Sequence, residues 1–193
     1  MADEKRWRPG RVIKWSLIAL AIGWGATYGH WIVLEHRFET ITEGAFYQSA
    51  EMPPEALVDV AREHGIKTVI DLRHDGDIED TSEFEKERAA LEKEGIRYVR
   101  IPANQVPTND TVDAFLEIAR DTAERPILVH CEHGQGRSVL FAALYRIEFE
   151  GWDPERARRA TRLFSWRGSF SSDAPKGIYL RNYESRLSSG AGE

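Results

Sequence analysis

Ile127-Leu-Val-His-Cys-Glu-His-Gly-Gln-Gly-Arg-Ser138 reads as a strand, a tight loop and the start of a helix. Pro126 precedes it, and Ile127-Leu128-Val129 is a short apolar run of the kind that forms a buried strand. After Ser138, the run Val139-Leu140-Phe141-Ala142-Ala143-Leu144-Tyr145 has helical composition, and Gly151 stands as its stop. The loop between them suits an anion. Gly134 and Gly136 let the backbone curl so that N–H groups point inward, and such a nest at a helix N-terminus binds phosphate-like groups. Arg137 adds a planar fork for two oxygens of one phosphate. Cys131 lies at the floor, where the amide dipoles, the helix start and Arg137 all favour its anion. A thiolate beneath a phosphate is a nucleophile aimed at phosphorus. Ser138 can donate a hydrogen bond to that thiolate and help it leave the phosphocysteine. His130 is expected to hold the loop in shape by bonding to backbone groups.

The phosphate cradle is expected to comprise Glu132, His133, Gly134, Gln135 and Gly136, with Arg137. Within it the Glu132 carboxylate should point away, because facing the phosphate it would repel it. His133 either contacts substrate or occupies a tolerant loop position. Gln135 can orient the water that hydrolyses the phosphocysteine.

His130-Cys131-x-x-Gly134-x-x-Arg137-Ser138 resembles the signature loop of the cysteine-based protein tyrosine phosphatases, with spacing similar to the dual-specificity branch. Phe46-Tyr-Gln-Ser49 and Gly65-Ile-Lys-Thr-Val-Ile-Asp-Leu-Arg73 resemble the small bacterial, plant and fungal group of that superfamily. In that group the first stretch usually reads Tyr-Arg-Ser, so Gln48 departs from it and loses a cation. The resemblance covers residues 38 to 165 or so. It implies hydrolysis of phosphate monoesters through a phosphocysteine, without metal or other cofactor. Phosphotyrosine, with or without phosphoserine and phosphothreonine, is the substrate class it implies first. Phosphoinositides, inositol phosphates and lipid phosphates are the alternative, since relatives act on these too. A phosphate-binding module with little catalysis is a further reading. A sulfurtransferase or arsenate-reductase type of enzyme is disfavoured by the late position of the loop and by His130.

A departing alkoxide or phenoxide needs a proton. In the family the donor is an Asp on the loop before the helix that leads to the signature strand. Here that loop is Ile101-Pro-Ala-Asn-Gln-Val-Pro-Thr-Asn-Asp110, and neither Ala103 nor Asn104 is an acid. Asp110 is the first carboxylate and the candidate general acid. It competes with a capping role, since Thr108-Asn109-Asp110 also looks like a helix start. Asp75 and Asp77 are weaker candidates, and a reaction using no acid is a third.

The fold class expected is α/β, a mostly parallel sheet flanked by helices. An edge strand over 37–42 and a second over 45–49 come first, then a helix over 55–64 ended by Gly65. Strands over 68–72 and 97–101 flank a helix over 82–93, and helices over 112–121, 153–163 and 173–187 follow. The 193 residues divide into a basic arm (1–14), a helix (15–34), the phosphatase-like domain (37–188) and a frayed tail (189–193). The arm carries five basic residues against two acidic ones. Residues 15–34 contain no Asp, Glu, Lys or Arg, long enough at about 1.5 Å per residue to span roughly 30 Å of hydrocarbon. A transmembrane helix with a cytoplasmic N-terminus is therefore expected, putting the domain on the non-cytoplasmic side, in a bacterium the periplasm. The net charge of −6 argues against a nucleic-acid partner. A single Cys leaves no internal disulfide, so cysteine usage does not reveal the compartment.

Overall fold

A computed structural model describes residues 9–33, 35–161 and 168–187, and the chain divides into two compact units after His36. The first unit is α1 (Pro9–Val33), one continuous helix. The transmembrane expectation for 15–34 is corrected here: among the described residues no helix is long and apolar enough to cross a membrane. Gly23, Gly25 and Gly29, together with Thr27, Tyr28 and His30, dilute the apolar run. The tail 189–193 and the end of the helix expected over 153–163 lie outside the described residues.

The second unit is a five-stranded sheet in the order β1-β2-β5-β3-β4. These strands are β1 (Glu39–Thr42), β2 (Phe46–Ala50), β3 (Thr68–Asp71), β4 (Arg97–Arg100) and β5 (Ile127–Cys131). Only β1 is antiparallel, joined to β2 by a turn at Gly44, whose φ is +68°. The signature strand β5 lies in the centre with all five residues buried, because its Ile-Leu-Val run is apolar on both faces. Its C-terminal end carries Cys131, placing the thiol where parallel sheets open their ligand crevice.

Helices cover both faces. On one, α2 (Pro54–Glu63) and α3 (Ser82–Lys93) bury Leu57, Val58, Ala61 and Leu91 against Val69, Tyr98 and Leu128. On the other lie α4 (Asn109–Arg120), α5 (Arg137–Glu150), α6 (Pro154–Ala160) and α7 (Pro175–Arg181). α5 is the central helix of that layer. Phe141 meets Phe115 edge-on at 5.1 Å, and Tyr145 stacks on Phe46 at 4.2 Å between centroids. Each such buried ring stabilises the fold by about 1.5–3 kcal/mol, so the start of α5 is anchored from behind. Gly151, at φ +66°, ends it in the left-handed conformation its position requires.

Two helices differ from expectation. α4 begins at Asn109 rather than Val112, because the Thr108 side chain accepts a hydrogen bond from the Thr111 amide and caps it. α7 ends at Arg181, six residues early. Beyond it the chain is held instead by the Glu148 carboxylate, which accepts from the amides of Arg186 and Leu187.

Candidate active site

The loop after β5 is pinned on both sides by its neighbours in the sheet. Leu72 donates its amide to the His130 carbonyl at 3.0 Å, and Glu51 donates to Glu132 at 3.4 Å. Gly134 has φ +63°, and a Cβ there would stand 2.6 Å from the Ala50 amide nitrogen. The loop therefore lies against β2 only because that side chain is missing. Gly134→Ala is expected to displace the loop and lower kcat/KM by roughly 10- to 100-fold. Steady-state kinetics beside a melting curve would check this; unchanged kinetics would count against the loop geometry described.

At the floor, Cys131 is buried, and its Sγ lies 3.5 Å from Ser138 Oγ in the first turn of α5. Arg137 is also buried. Its Nη1 donates to the Leu72 carbonyl at 3.2 Å and to Asp77, which sits in a single 3-10 turn (Asp75–Asp77) after β3. Its Nε has no hydrogen-bond partner among the described residues, and its Nη2 faces only Glu132 Oε2 at 3.6 Å. One edge of the guanidinium is thus anchored, and the Nε–Nη2 edge is left as a fork for two phosphate oxygens. Burial would raise Asp77, but the Arg137 guanidinium and the His74 amide hold its carboxyl below the ordinary range.

A cavity of about 260 Å³ opens above this floor. Five of the six cradle residues read from sequence line it, Glu132, His133, Gln135, Gly136 and Arg137, together with Cys131. The expectation that Glu132 points away is corrected, since its carboxylate lies beside Arg137 and 3.2 Å from His133 Nδ1. The Arg137 guanidinium attracts the carboxylate to the cavity side.

His130 also departs from expectation. It is wholly buried, and neither ring nitrogen has a hydrogen-bond partner among the described residues. Its Nε2 faces the carboxylates of Asp71 and Glu87, at 3.9 and 3.8 Å, rather than loop amides. Burial drives its pKa down to about 4, despite the pull of Asp71. Asp71, Glu87 and His130 together offer three atoms within 4.8 Å, a spacing a metal could use. Arg73 already occupies that position: it bonds Asp71 through Nε at 3.0 Å and Nη2 at 2.9 Å, Glu87 at 2.5 Å and Glu51 at 3.0 Å. The cluster is an ion-pair network behind the loop, with its charges already met by a cation.

Asp110 does not reach the cavity. It lies exposed in the first turn of α4, just after the Thr108 cap. Ala103, at the start of the same loop, is fully buried and donates its amide to Leu72. Three lining residues carry no linear signal: Gln105, Ser169 and Lys176. Lys176 comes from α7, forty-five positions after Cys131, and bonds Gln105.

A strand–nest–helix with a buried thiol under an open guanidinium edge is what a phosphocysteine enzyme requires, and comparison with known proteins agrees. Residues 26–173 match the family described as DSP-PTPase phosphatase fused to NAD+ kinase. The chain belongs to this family. A curated relative, the dual specificity protein phosphatase TpbA of Pseudomonas aeruginosa, is 33% identical over 113 residues, which are 58% of this chain and 47% of that protein. The chain thus spans about half the length of the curated relatives it matches first. The crystal structure of P. aeruginosa TpbA is 29% identical with a TM-score of 0.51, over 72% of this chain and 81% of that one. The catalytic core of the S. cerevisiae PP-IP phosphatase SIW14 shares the fold at 18% identity, with a TM-score of 0.60 over 76% of this chain and 85% of that one.

Proposed function

We propose that the chain is a Cys-dependent phosphatase of the dual-specificity type. One observation carries it: Cys131 and Arg137 line one cavity, the Cys131 Sγ lies 3.5 Å from Ser138 Oγ, and the Arg137 Nε has no hydrogen-bond partner among the described residues. The Cys131 thiolate attacks phosphorus while loop amides and the Arg137 fork hold the equatorial oxygens, where charge gathers in the transition state. The bound phosphate displaces the Glu132 carboxylate from Arg137, exchanging one anion for another of higher charge. Water then attacks the phosphocysteine, and Ser138 donates to the departing thiolate.

Phosphotyrosine is the proposed substrate class, with phosphoserine and phosphothreonine beside it; a TpbA structure is described in complex with pTyr. Phosphoinositide, inositol phosphate or lipid phosphate is the alternative within the same chemistry. Phosphate release by the purified protein from a phosphotyrosine peptide, a phosphothreonine peptide and phosphoinositide vesicles tests this. Release from none of them by folded protein would favour a phosphate-binding module. Asp110 is assigned to the first turn of α4, where its charge suits the helix N-terminus, rather than to proton transfer. Asp110→Asn is expected to leave turnover within about twofold, as exposed substitutions away from a site do. A larger loss on an alkyl phosphate would restore Asp110 as the acid.

A further inference from the structure

The cavity lacks an acid placed to protonate a leaving group. Of the carboxylates around Arg137, Asp77 is bonded to its guanidinium, and Glu132, once phosphate displaces it from Arg137, is left paired with the exposed His133. Across the cavity stands Lys176. Its Nζ is held by the Gln105 amide oxygen, lies 5.5 Å from the Phe170 ring, and would be 2.8 Å from a Cβ on Gly136. The amine is therefore pressed against the backbone of the phosphate loop. Gly177 fixes that approach, since a Cβ there would collide with the Ser171 carbonyl. Gln105, for its part, sits on the loop from which this family is expected to supply its Asp.

Resting on the phosphatase reading above, we propose that Lys176 is the proton donor to the leaving group, positioned by Gln105. As the Sγ–P bond forms and the P–O ester bond breaks, the bonding pair passes to the ester oxygen, which takes a proton from Nζ. The neutral amine then accepts a proton from the water that attacks the phosphocysteine, and the S–P pair returns to Cys131 as thiolate. Lys176, the proton and the thiolate are all restored.

The charges around Nζ suit this cycle. Burial lowers the pKa of Lys176 and Arg137 adds to that, while the Cys131 thiolate opposes both. Forming the phosphocysteine removes the thiolate charge, so the amine's hold on its proton weakens as the leaving group needs it. Glu132 and His133 face the same cavity from the loop.

The test uses the full chain, with Lys176→Met and Lys176→Arg, on p-nitrophenyl phosphate (a good leaving group) and phenyl phosphate (a poor one). Lys176→Met is expected to lower kcat on phenyl phosphate by about 100-fold and on p-nitrophenyl phosphate by less than about threefold. Its alkaline limb in kcat should vanish. Lys176→Arg keeps the charge but cannot yield a proton near neutral pH, so it should restore KM and not kcat on phenyl phosphate. Melting curves confirm that both variants fold. Equal losses on the two substrates, or full rescue by Arg, would overturn the proposal and leave the phosphatase reading standing. No release by the unmodified protein from either substrate would overturn both.

Discussion

Cys131→Ser is expected to lower phosphate release by about four to six orders of magnitude, on every substrate the protein accepts. The substitution changes one atom at the floor of the cradle. The hydroxyl is smaller than the thiol and keeps a polar contact with Ser138, so the loop and its phosphate affinity should persist. What is lost is the anion, because a serine hydroxyl stays protonated near neutral pH and no base stands beside it. His130 cannot serve as that base: its ring lies behind the strand, facing Asp71 and Glu87. Kinetics, phosphate affinity and acid-quenched trapping of a phosphoenzyme, run side by side, check this. Residual turnover within tenfold of the unmodified protein would remove Cys131 from the chemistry.

The strand, nest and helix around Cys131 were legible because every local choice agrees: an apolar run, two glycines, then an apolar helix. α3 is found over Ser82–Lys93, where the sequence places it, since polar residues flank a clear helical pattern. The orientation of His130 was not legible. It depends on Asp71 from β3 and Glu87 from α3, brought behind β5 by sheet order rather than by spacing. Lys176 and Gln105 were missed for the same reason, as α7 and the loop after β4 meet over the cavity only once the chain is folded. Residues 15–34 show the reverse error. Absence of charge was legible, but several glycines and weakly polar residues, each far less costly than a charge, together leave the segment short of the apolarity a crossing helix needs.

The largest stability effect should come from Arg73→Leu. Arg73 is 2% exposed and faces Asp71 and Glu87, both buried, with Glu51 at the rim. Removing the cation while leaving two carboxylates in the interior should cost about 3–5 kcal/mol, read by urea unfolding. The loss should depend on pH, and the sign follows from Glu87. Burial raises its pKa to about 7, with Arg73 pulling the other way. A folded-state value above the unfolded one means that the stability Glu87 supplies is full at low pH and is lost as pH rises through about 7. Without Arg73 the folded value climbs further, and Asp71, which Arg73 holds low against its burial while His130 is uncharged in this range, should rise as well. The deficit of the variant should therefore be greater at pH 8 than at pH 6. Arg73→Lys, which keeps a charge but not the fork that reaches three carboxylates, should fall between. Because Asp71 pairs in register with His130, one residue before the nucleophile, turnover should fall with stability. A loss below about 1 kcal/mol, or a deficit unchanged between the two pH values, would show that this buried network does not hold the floor of the site.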